Sequence, residues 1–391
     1  MTTSLIAYNL NDLETKAVLS ESQNLYKSKL ITQDQWFKIR EAFKSDLYSP
    51  NIFMRVLLFI AAIIGFNSIL VPIGITFGSI GEIGYRFLTL IVGLGLLIFI
   101  EKVLIKDKLH YKSGVTEAGI YVGLGFLAFA FLGFDNHPTI VYPIVGFVLA
   151  AFAAIRYLNL TALVLTFGFL GWIEFQLLAD INLMALMPFG FIISFGLIYL
   201  GCLKLKVKLS NIVFTSHFII VETIALLMIY IAGNYFVVRE LSIEMMNLEI
   251  AENGNIPFAY LFYLFTALIP IAYIYWGIKQ KLILFIRVGL LTIALSVITL
   301  KIYFNLGQPI VTVTIAGAVL IILSLLLLNY LKQIRNGFTR DLLLNDKWNS
   351  NDLAAFVASQ TLGGHSTTNS PNNDASFGDG QFGGAGAGGN W

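Results

Sequence analysis

The feature that most constrains this chain is a succession of ten long apolar segments. Each is close to the length of about 20 residues that an α-helix needs to cross a bilayer. Hydrophobic residues make up 57% of the sequence and charged residues 12%, against about 45–50% and about 25% in soluble domains. We therefore expect an all-α, polytopic transmembrane helix bundle. The apolar segments lie near residues 53–77, 84–101, 114–134, 139–156, 158–179, 181–201, 211–232, 257–276, 282–304 and 310–331.

The lysines and arginines give an orientation. If the N-terminus is cytoplasmic, ten crossings leave only Arg86, Arg239 and Lys301 of the 25 basic residues on the outer side. This is the excess of positive charge expected in cytoplasmic segments. It predicts that both termini are cytoplasmic and that residues 233–256 form an acidic outer loop. The count of ten requires the fourth and fifth segments to be separate crossings, although only Arg156 and the following "YLN" separate them.

The sequence divides into four regions. Residues 1–52 are expected to form a cytoplasmic amphipathic helical hairpin. Thr32 and Gln35 have the spacing of a capping box, and Ile31 and Trp36 that of a hydrophobic staple. The ten-span bundle covers residues 53–331, and a cytoplasmic juxtamembrane helical segment covers 332–363. Residues 364–391 form a low-complexity tail rich in glycine, for which we expect disorder.

Ionisable groups within the apolar segments are the candidate functional residues, because each costs a few kcal/mol at membrane depth. The first candidate is a polar pathway for protons or a small cation built from Glu222, His217 and Glu174. The secondary candidates are Glu117 and Arg287. The alternative is that these groups pair with other side chains or with the backbone and only fix the packing of the helices.

Glycine pairs occur at the same place in two consecutive apolar segments. "VGLGLL" spans residues 92–97 and "VGLGFL" spans 122–127. Small residues at this spacing predict a close approach of the two helices. Three prolines within apolar segments, Pro143, Pro188 and Pro270, are expected to kink helices.

No catalytic motif is visible, so we expect that the protein is not an enzyme. The sequence has no H-E-x-x-H, no G-x-S-x-G and no Walker lysine loop. A single cysteine, Cys202, excludes an intrachain disulfide and a multi-cysteine metal site. We accordingly expect no cofactor and no metal. Nucleic acid is not an expected partner, since the basic residues are spaced between apolar segments.

The first third resembles the predicted bacterial membrane proteins of the domain-of-unknown-function 2157 type. The resemblance rests on "LYKSKLITQDQWFKIREAF" (residues 25–43) and on the glycine-bearing first crossing "LLFIAAIIGFNSILV". It implies a polytopic protein of the bacterial inner membrane and supplies no mechanism. The closing "FGGAGAGGNW" resembles the glycine-rich, tryptophan-terminated tails of several bacterial membrane-anchored envelope proteins.

Two functions remain from the sequence. The favoured one is transport of a small solute or ion, with proton coupling as one form of it and with Glu222 and His217 as the coupling groups. The alternative is a non-transporting membrane scaffold or assembly protein that acts through its terminal segments. In that case a protein partner would dock on the N-terminal hairpin or on Phe377, Phe382 and Trp391 of the tail. The lipid bilayer is a partner in either case, and the sequence leaves the oligomeric state open.

Overall fold

Helices are the main secondary structure of the part of the chain that the computed structural model describes. This part comprises residues 5–27, 30–68, 81–134, 136–181, 183–209, 211–246 and 255–304, and single residues or pairs between 314 and 329. Its extended backbone is limited to one isolated bridge between Tyr48 and His110. The helices are α1 Leu10–Lys27, α2 Gln33–Ala42, α3 Ile52–Ser68, α4 Gly81–Phe99, α5 Val115–Leu132, α6 Val141–Arg156, α7 Leu160–Asp180, α8 Met187–Lys208, α9 Thr215–Gly233, α10 Tyr235–Met246, α11 Ala259–Gln280 and α12 Ile283–Phe304.

Seven of the described helical segments are long and apolar enough to cross a membrane, and α3 and α6 are shorter apolar helices. These nine overlap the first nine apolar segments of the sequence. Most of the tenth, and all of the juxtamembrane and tail regions, lie outside the described residues. Large apolar side chains are widely exposed on the long helices, with Val207 and Tyr260 both at 83%. A soluble protein would bury such surfaces, so their exposure indicates a membrane protein.

Consecutive helices pack as antiparallel hairpins, in the pairs α4–α5, α6–α7, α8–α9 and α11–α12. The predicted close approach at the glycine pairs is confirmed for the first glycine of each. A Cβ atom on Gly93 would lie 2.9 Å from the Gly123 carbonyl oxygen, and one on Gly123 would lie 3.0 Å from Leu97. Gly95 and Gly125 have no such neighbour within 4 Å.

The N-terminal segment lies against the ends of several apolar helices. The Ala7 amide donates to the Arg156 carbonyl at 2.8 Å, and Asn211 Nδ2 donates to Glu14 Oε1 at 2.5 Å. Tyr48 exchanges backbone hydrogen bonds with the segment that follows α4. We call this end of the molecule the N-terminal face. The positive-inside prediction assigned all of these segments to one side.

The predicted capping box at the start of α2 is present. Gln35 N donates to Thr32 Oγ1 at 3.3 Å, and Gln35 Oε1 accepts from Thr32 N at 2.9 Å. Trp36, predicted as part of a hydrophobic staple, stacks on Tyr26 with ring centroids 5.3 Å apart. The stack joins α1 to α2, as expected for a helical hairpin.

Three details differ from the sequence prediction. Helix α8 begins at Met187 and continues to Lys208, because lysine is a good helix former and its long side chain reaches toward water. The predicted outer loop contains α10. Pro188 lies in the first turn of α8 and Pro143 in the first turn of α6. Proline breaks no helical hydrogen bond there, so these two need not kink a helix as predicted. Only Pro270 of the three lies in a helix interior, that of α11.

Candidate functional site

Glu117 is a buried carboxylate in the first turn of α5, and it ties α5 to α3. Its Oε1 accepts from Arg55 Nη2 at 2.5 Å. Its Oε2 accepts from the Gly114 amide at 2.8 Å and from Thr116 Oγ1 at 3.0 Å. Gly114 has φ 88°, and a Cβ atom there would lie 2.1 Å from the Arg55 carbonyl oxygen. Only glycine allows α3 to approach this closely.

A polar cavity of about 230 Å³ opens beside this ion pair on the N-terminal face. Its lining combines two cations, one carboxylate and three phenols, with few large aliphatic groups. The side chains come from the N-terminal segment, from α3, α5 and the start of α7, and from the two connections that precede α5 and α7. The lining residues are Tyr8, Arg55, Lys112, Glu117, Ile120, Tyr121, Tyr157, Leu158, Asn159, Leu160 and Thr161.

Two lining residues hold left-handed backbone conformations. Lys112 has φ 49° and Leu158 has φ 50°. Such conformations are uncommon for residues other than glycine and cost about 1–3 kcal/mol, and they cluster at ligand clamps and active sites. Both residues belong to the short connections that precede α5 and α7.

The hydroxyl groups of Tyr8 and Tyr157 form no hydrogen bond with the described residues. Tyr8 is held by the neighbouring Ala7 backbone hydrogen bond and by an edge-on contact with the Tyr111 ring, centroids 5.4 Å apart. Burial raises the pKa of Tyr8 above its usual range. Burial, with a smaller contribution from Glu101, raises the pKa of Tyr157 to about 12. Both phenols are therefore protonated donors at neutral pH, and neither hydroxyl has a hydrogen-bond partner among the described residues.

Lys112 supplies the second positive charge of the lining. Its Nζ lies 5.3 Å from the centroid of the Tyr111 ring. None of the carboxylates in the described ranges forms an ion pair with it. The other cation, Arg55, is already paired with Glu117.

Glu222, the first candidate from the sequence, lies elsewhere. It is buried in α9, and its Oε1 accepts from Lys206 Nζ at 2.8 Å. Lys206 belongs to the last turn of α8. The sequence pattern does not indicate this lysine as part of the bundle, because the apolar segment ends at residue 201.

Glu174 is separate from Glu222. Its Oε2 accepts from Ser194 Oγ at 2.7 Å, whereas Glu222 pairs with Lys206. Ser194 and Lys206 are twelve residues apart on α8, which is about 18 Å along a helix axis. No described contact joins the two carboxylates into one polar pathway.

His217 and Arg287 complete the intramembrane candidates. Both ring nitrogens of His217 are buried without a hydrogen bond of good geometry among the described residues, although the Leu158 backbone and Lys112 lie nearby. His217 and Glu117 are therefore the sequence candidates closest to the polar cavity. Arg287 is exposed near the start of α12 and does not line it. Phe377, Phe382 and Trp391 lie outside the described residues.

A buried network of neutral polar groups was not predicted from the sequence. Tyr230 Oη lies 2.8 Å from Ser296 Oγ, and Asn234 Nδ2 donates to Tyr230 Oη and Thr299 Oγ1 at 2.8 and 3.0 Å. The network joins α9 to α12 through the Asn234 connection. These hydroxyls and amides are uncharged, so a search for ionisable groups passes over them. A pattern of small polar residues at spacings of three and four on α12 would have indicated them.

A second cavity, of about 110 Å³, is apolar. It lies between α7, α8, α9 and α10, and its lining includes Met184, Met187, Pro188 and Met228. Such a lining offers no recognition of a charged or polar solute. Among the described residues there is also no group of three histidine, cysteine, aspartate or glutamate side chains that could hold a metal ion.

Comparison of the chain with protein-family models, with curated proteins and with solved structures finds no match.

Proposed function

We propose that this protein transports a small polar solute across a membrane, and that the polar cavity on the N-terminal face is where it binds the solute. The observation that carries the proposal is the cavity of about 230 Å³, with its lining of charged and hydroxyl side chains. Pockets for small molecules combine an enclosing wall with a few convergent polar groups. The apolar helices around it supply the membrane setting.

The cavity is a stronger candidate than Glu222. Lys206 neutralises Glu222 and donates a hydrogen bond to it, so a structural role accounts for the presence of that carboxylate in the bundle. We therefore propose that Glu222 holds α8 to α9 and does not couple transport. The role of Glu117 is to position Arg55 at the cavity wall.

The position of the cavity implies one step of a transport cycle. It lies where α3, α5 and α7 begin or end on one face, whereas transporter sites usually lie near the bilayer midplane. We propose that it is the binding site of the state open to the N-terminal face. The packing of consecutive helices as hairpins offers units that could shift to admit the solute further into the bundle.

The location and family are part of the same proposal. The positive-inside distribution supports a cytoplasmic N-terminal face, and the resemblance of residues 25–43 to the domain-of-unknown-function 2157 type supports a bacterial inner membrane. With ten crossings the C-terminal tail would lie in the cytoplasm as well.

The test fills the cavity without touching its ion pair. Thr161 is exposed and lines the cavity, so Thr161→Trp should block it and Thr161→Ser should leave it open. Full-length protein and both variants are reconstituted in proteoliposomes, together with Glu222→Gln. Uptake is measured with radiolabelled succinate, phosphate, glycine, choline and glucose, which cover anionic, zwitterionic, cationic and neutral solutes.

We expect uptake of at least one solute that Thr161→Trp lowers by at least about tenfold and that the other two variants retain. Thermal unfolding in detergent checks that each variant is folded. If uptake is lost in Glu222→Gln and retained in Thr161→Trp, Glu222 and not the polar cavity is the transport site. Absence of uptake in every protein would overturn the transport proposal.

A scaffold function is the second candidate, and one observation favours it. The α1–α2 hairpin exposes Leu30 at 41% and Phe37 at 43%, beside the stacked Trp36. An apolar and aromatic patch outside the apolar spans is a suitable docking surface for a protein partner. This function predicts that Phe37→Ser releases a partner while solute uptake is unaffected.

A further inference from the structure

We infer that the ligand of the polar cavity is a small oxyanion, a carboxylate or a phosphate. The inference deepens the proposed function and rests on it for the premise that the cavity binds a solute. It is carried by the balance of hydrogen-bond donors and acceptors and by the charge of the lining.

The carboxylate and side-chain amide oxygens of the lining are already engaged. Both oxygens of Glu117 accept hydrogen bonds from Arg55, Gly114 and Thr116. Asn159 Oδ1 accepts from Tyr121 Oη at 3.0 Å and from the Ala162 amide at 2.9 Å. A ligand rich in donors, such as an ammonium group, would find few free partners here.

The donors of the lining are not engaged to the same degree. An ammonium carries three N–H groups, and Lys112 meets only the face of the Tyr111 ring. The hydroxyls of Tyr8 and Tyr157 have no partner in the described part of the chain. Groups of this kind that face a cavity are satisfied by water or by the oxygens of a ligand. Three residues with such donors, from different segments of the chain, therefore line one cavity.

The net charge of the lining also favours an anionic ligand. Arg55 and Lys112 contribute two positive charges and Glu117 one negative charge, so the net charge of the lining residues is +1 (2 − 1). A cationic ligand would be repelled by this excess. An anion would neutralise Lys112 and accept from the two phenols in charge-assisted hydrogen bonds, which are about twice as strong as neutral ones.

The size of the cavity fits such a ligand. One water needs about 10–15 Å³ on this scale, and the cavity has a volume of about 230 Å³. A phosphate or a short dicarboxylate fits within it. The same oxyanion chemistry could be presented by a free solute or by the headgroup of an anionic lipid.

Ligand-induced stabilisation of the full-length protein tests the inference. The probes are 10 mM sodium phosphate, 10 mM sodium succinate and 10 mM choline chloride, each against sodium chloride at the same ionic strength, in a neutral detergent. A bound ligand stabilises the folded state by mass action. We expect phosphate or succinate to raise the midpoint of thermal unfolding by about 2–4 °C, and choline to have no effect.

Three variants make the result specific to the cavity. Lys112→Met should abolish the shift, and Lys112→Arg should preserve it because the charge is kept. Lys108→Met is the matched control, since Lys108 is exposed four residues earlier and does not line the cavity. The midpoints without ligand show whether each variant is folded.

A second arm separates the two sources of the oxyanion. The protein is measured in nanodiscs of phosphatidylcholine alone and of phosphatidylcholine with phosphatidylglycerol. A shift that depends on Lys112 and appears only with phosphatidylglycerol assigns the site to a lipid headgroup. A shift with phosphate or succinate in phosphatidylcholine assigns it to a free solute. Either result supports an oxyanion site.

The inference is overturned if no anion shifts the midpoint in any setting, or if Lys112→Met responds like the unsubstituted protein. It is also overturned if choline alone stabilises. These outcomes are separable from the fate of the proposed function. If Thr161→Trp blocks uptake of choline or glucose, the transport proposal is supported and the oxyanion inference is overturned. If an anion binds but no solute is taken up, the oxyanion inference is supported and the transport proposal is overturned.

Discussion

Glu222 and Glu117 are both buried carboxylates, and each is held by a cation more exposed than itself. The side chain of Glu222 is 7% exposed and that of Lys206 46%; the values for Glu117 and Arg55 are 12% and 36%. A long basic side chain can keep its stem along apolar surface while its charged end reaches a partner. Each pair thus brings a carboxylate below the surface without leaving its charge unpaired.

Replacement of Lys206 by an uncharged residue should lower the free energy of unfolding. In Lys206→Met the carboxylate of Glu222 loses its charged donor, and a buried charged group without a partner costs about 1–3 kcal/mol or more. We expect a loss of this size in the free energy of unfolding, measured by denaturant titration in mixed detergent micelles. Lys204→Met, in the same helix and exposed, should change it by less than about 0.5 kcal/mol.

The double variant Lys206→Met/Glu222→Leu should recover most of the loss, because an ion pair can be replaced by packed apolar groups at little cost. If Lys206→Met proved as stable as Lys204→Met, the pair would contribute no stability and the structural role assigned to Glu222 would be wrong.

At the scale of the helices, packing in the α4–α5 hairpin depends on one glycine from each pair. Gly93 and Gly123 lie at the contact, where an added methyl group has no room, whereas Gly95 and Gly125 face open space. The sequence predicted the contact because small residues at matching places in two consecutive apolar segments favour close packing of the two helices. It did not show which glycine of each pair is needed.

Gly93→Ala should therefore destabilise the protein, and Gly95→Ala should not. Overpacking of a close contact typically costs about 1–3 kcal/mol, while alanine at an open helical position adds up to about 1 kcal/mol of helix propensity. Thermal unfolding in detergent should give a lower midpoint for Gly93→Ala and an equal or higher one for Gly95→Ala. Equal unfolding midpoints for the two variants would contradict the claim that the α4–α5 contact depends on Gly93.

Helix positions followed from hydropathy, but helix ends and polar contacts did not. The apolar pattern located nine helices because a span must satisfy its backbone hydrogen bonds within itself. The charged end of α8 was missed, since a hydropathy window stops where lysines begin although the helix continues. The Tyr230–Asn234–Ser296–Thr299 network was missed because neutral groups hardly lower the apolarity of a span.

For the molecule as a whole, the N-terminal face is where distant parts of the sequence meet. The cavity combines Tyr8, Arg55, Lys112 and Thr161, which are separated by roughly fifty residues at each step. No local pattern marks such a site, because each residue taken alone is an ordinary polar residue at a helix end. Of the sequence candidates, Glu117 lines the cavity and His217 lies beside it. The sequence therefore indicates two residues at or near the cavity but not the cavity itself.

The central claim is that this cavity opens to the N-terminal face and binds a solute. Thr161→Cys tests it directly, because the native cysteine, Cys202, is buried and serves as an internal reference. The measurement is the rate of modification by a membrane-impermeant methanethiosulfonate in sealed vesicles of each orientation. Leu165→Cys, one turn further along α7 and exposed on the bundle surface, is the control.

We predict fast labelling of Thr161→Cys only from the side that bears the α1–α2 hairpin, slowed at least about tenfold by the solute that the protein takes up. Leu165→Cys and Cys202 should remain unlabelled. Labelling of Thr161→Cys from the opposite side, or no labelling from either side, would contradict the account.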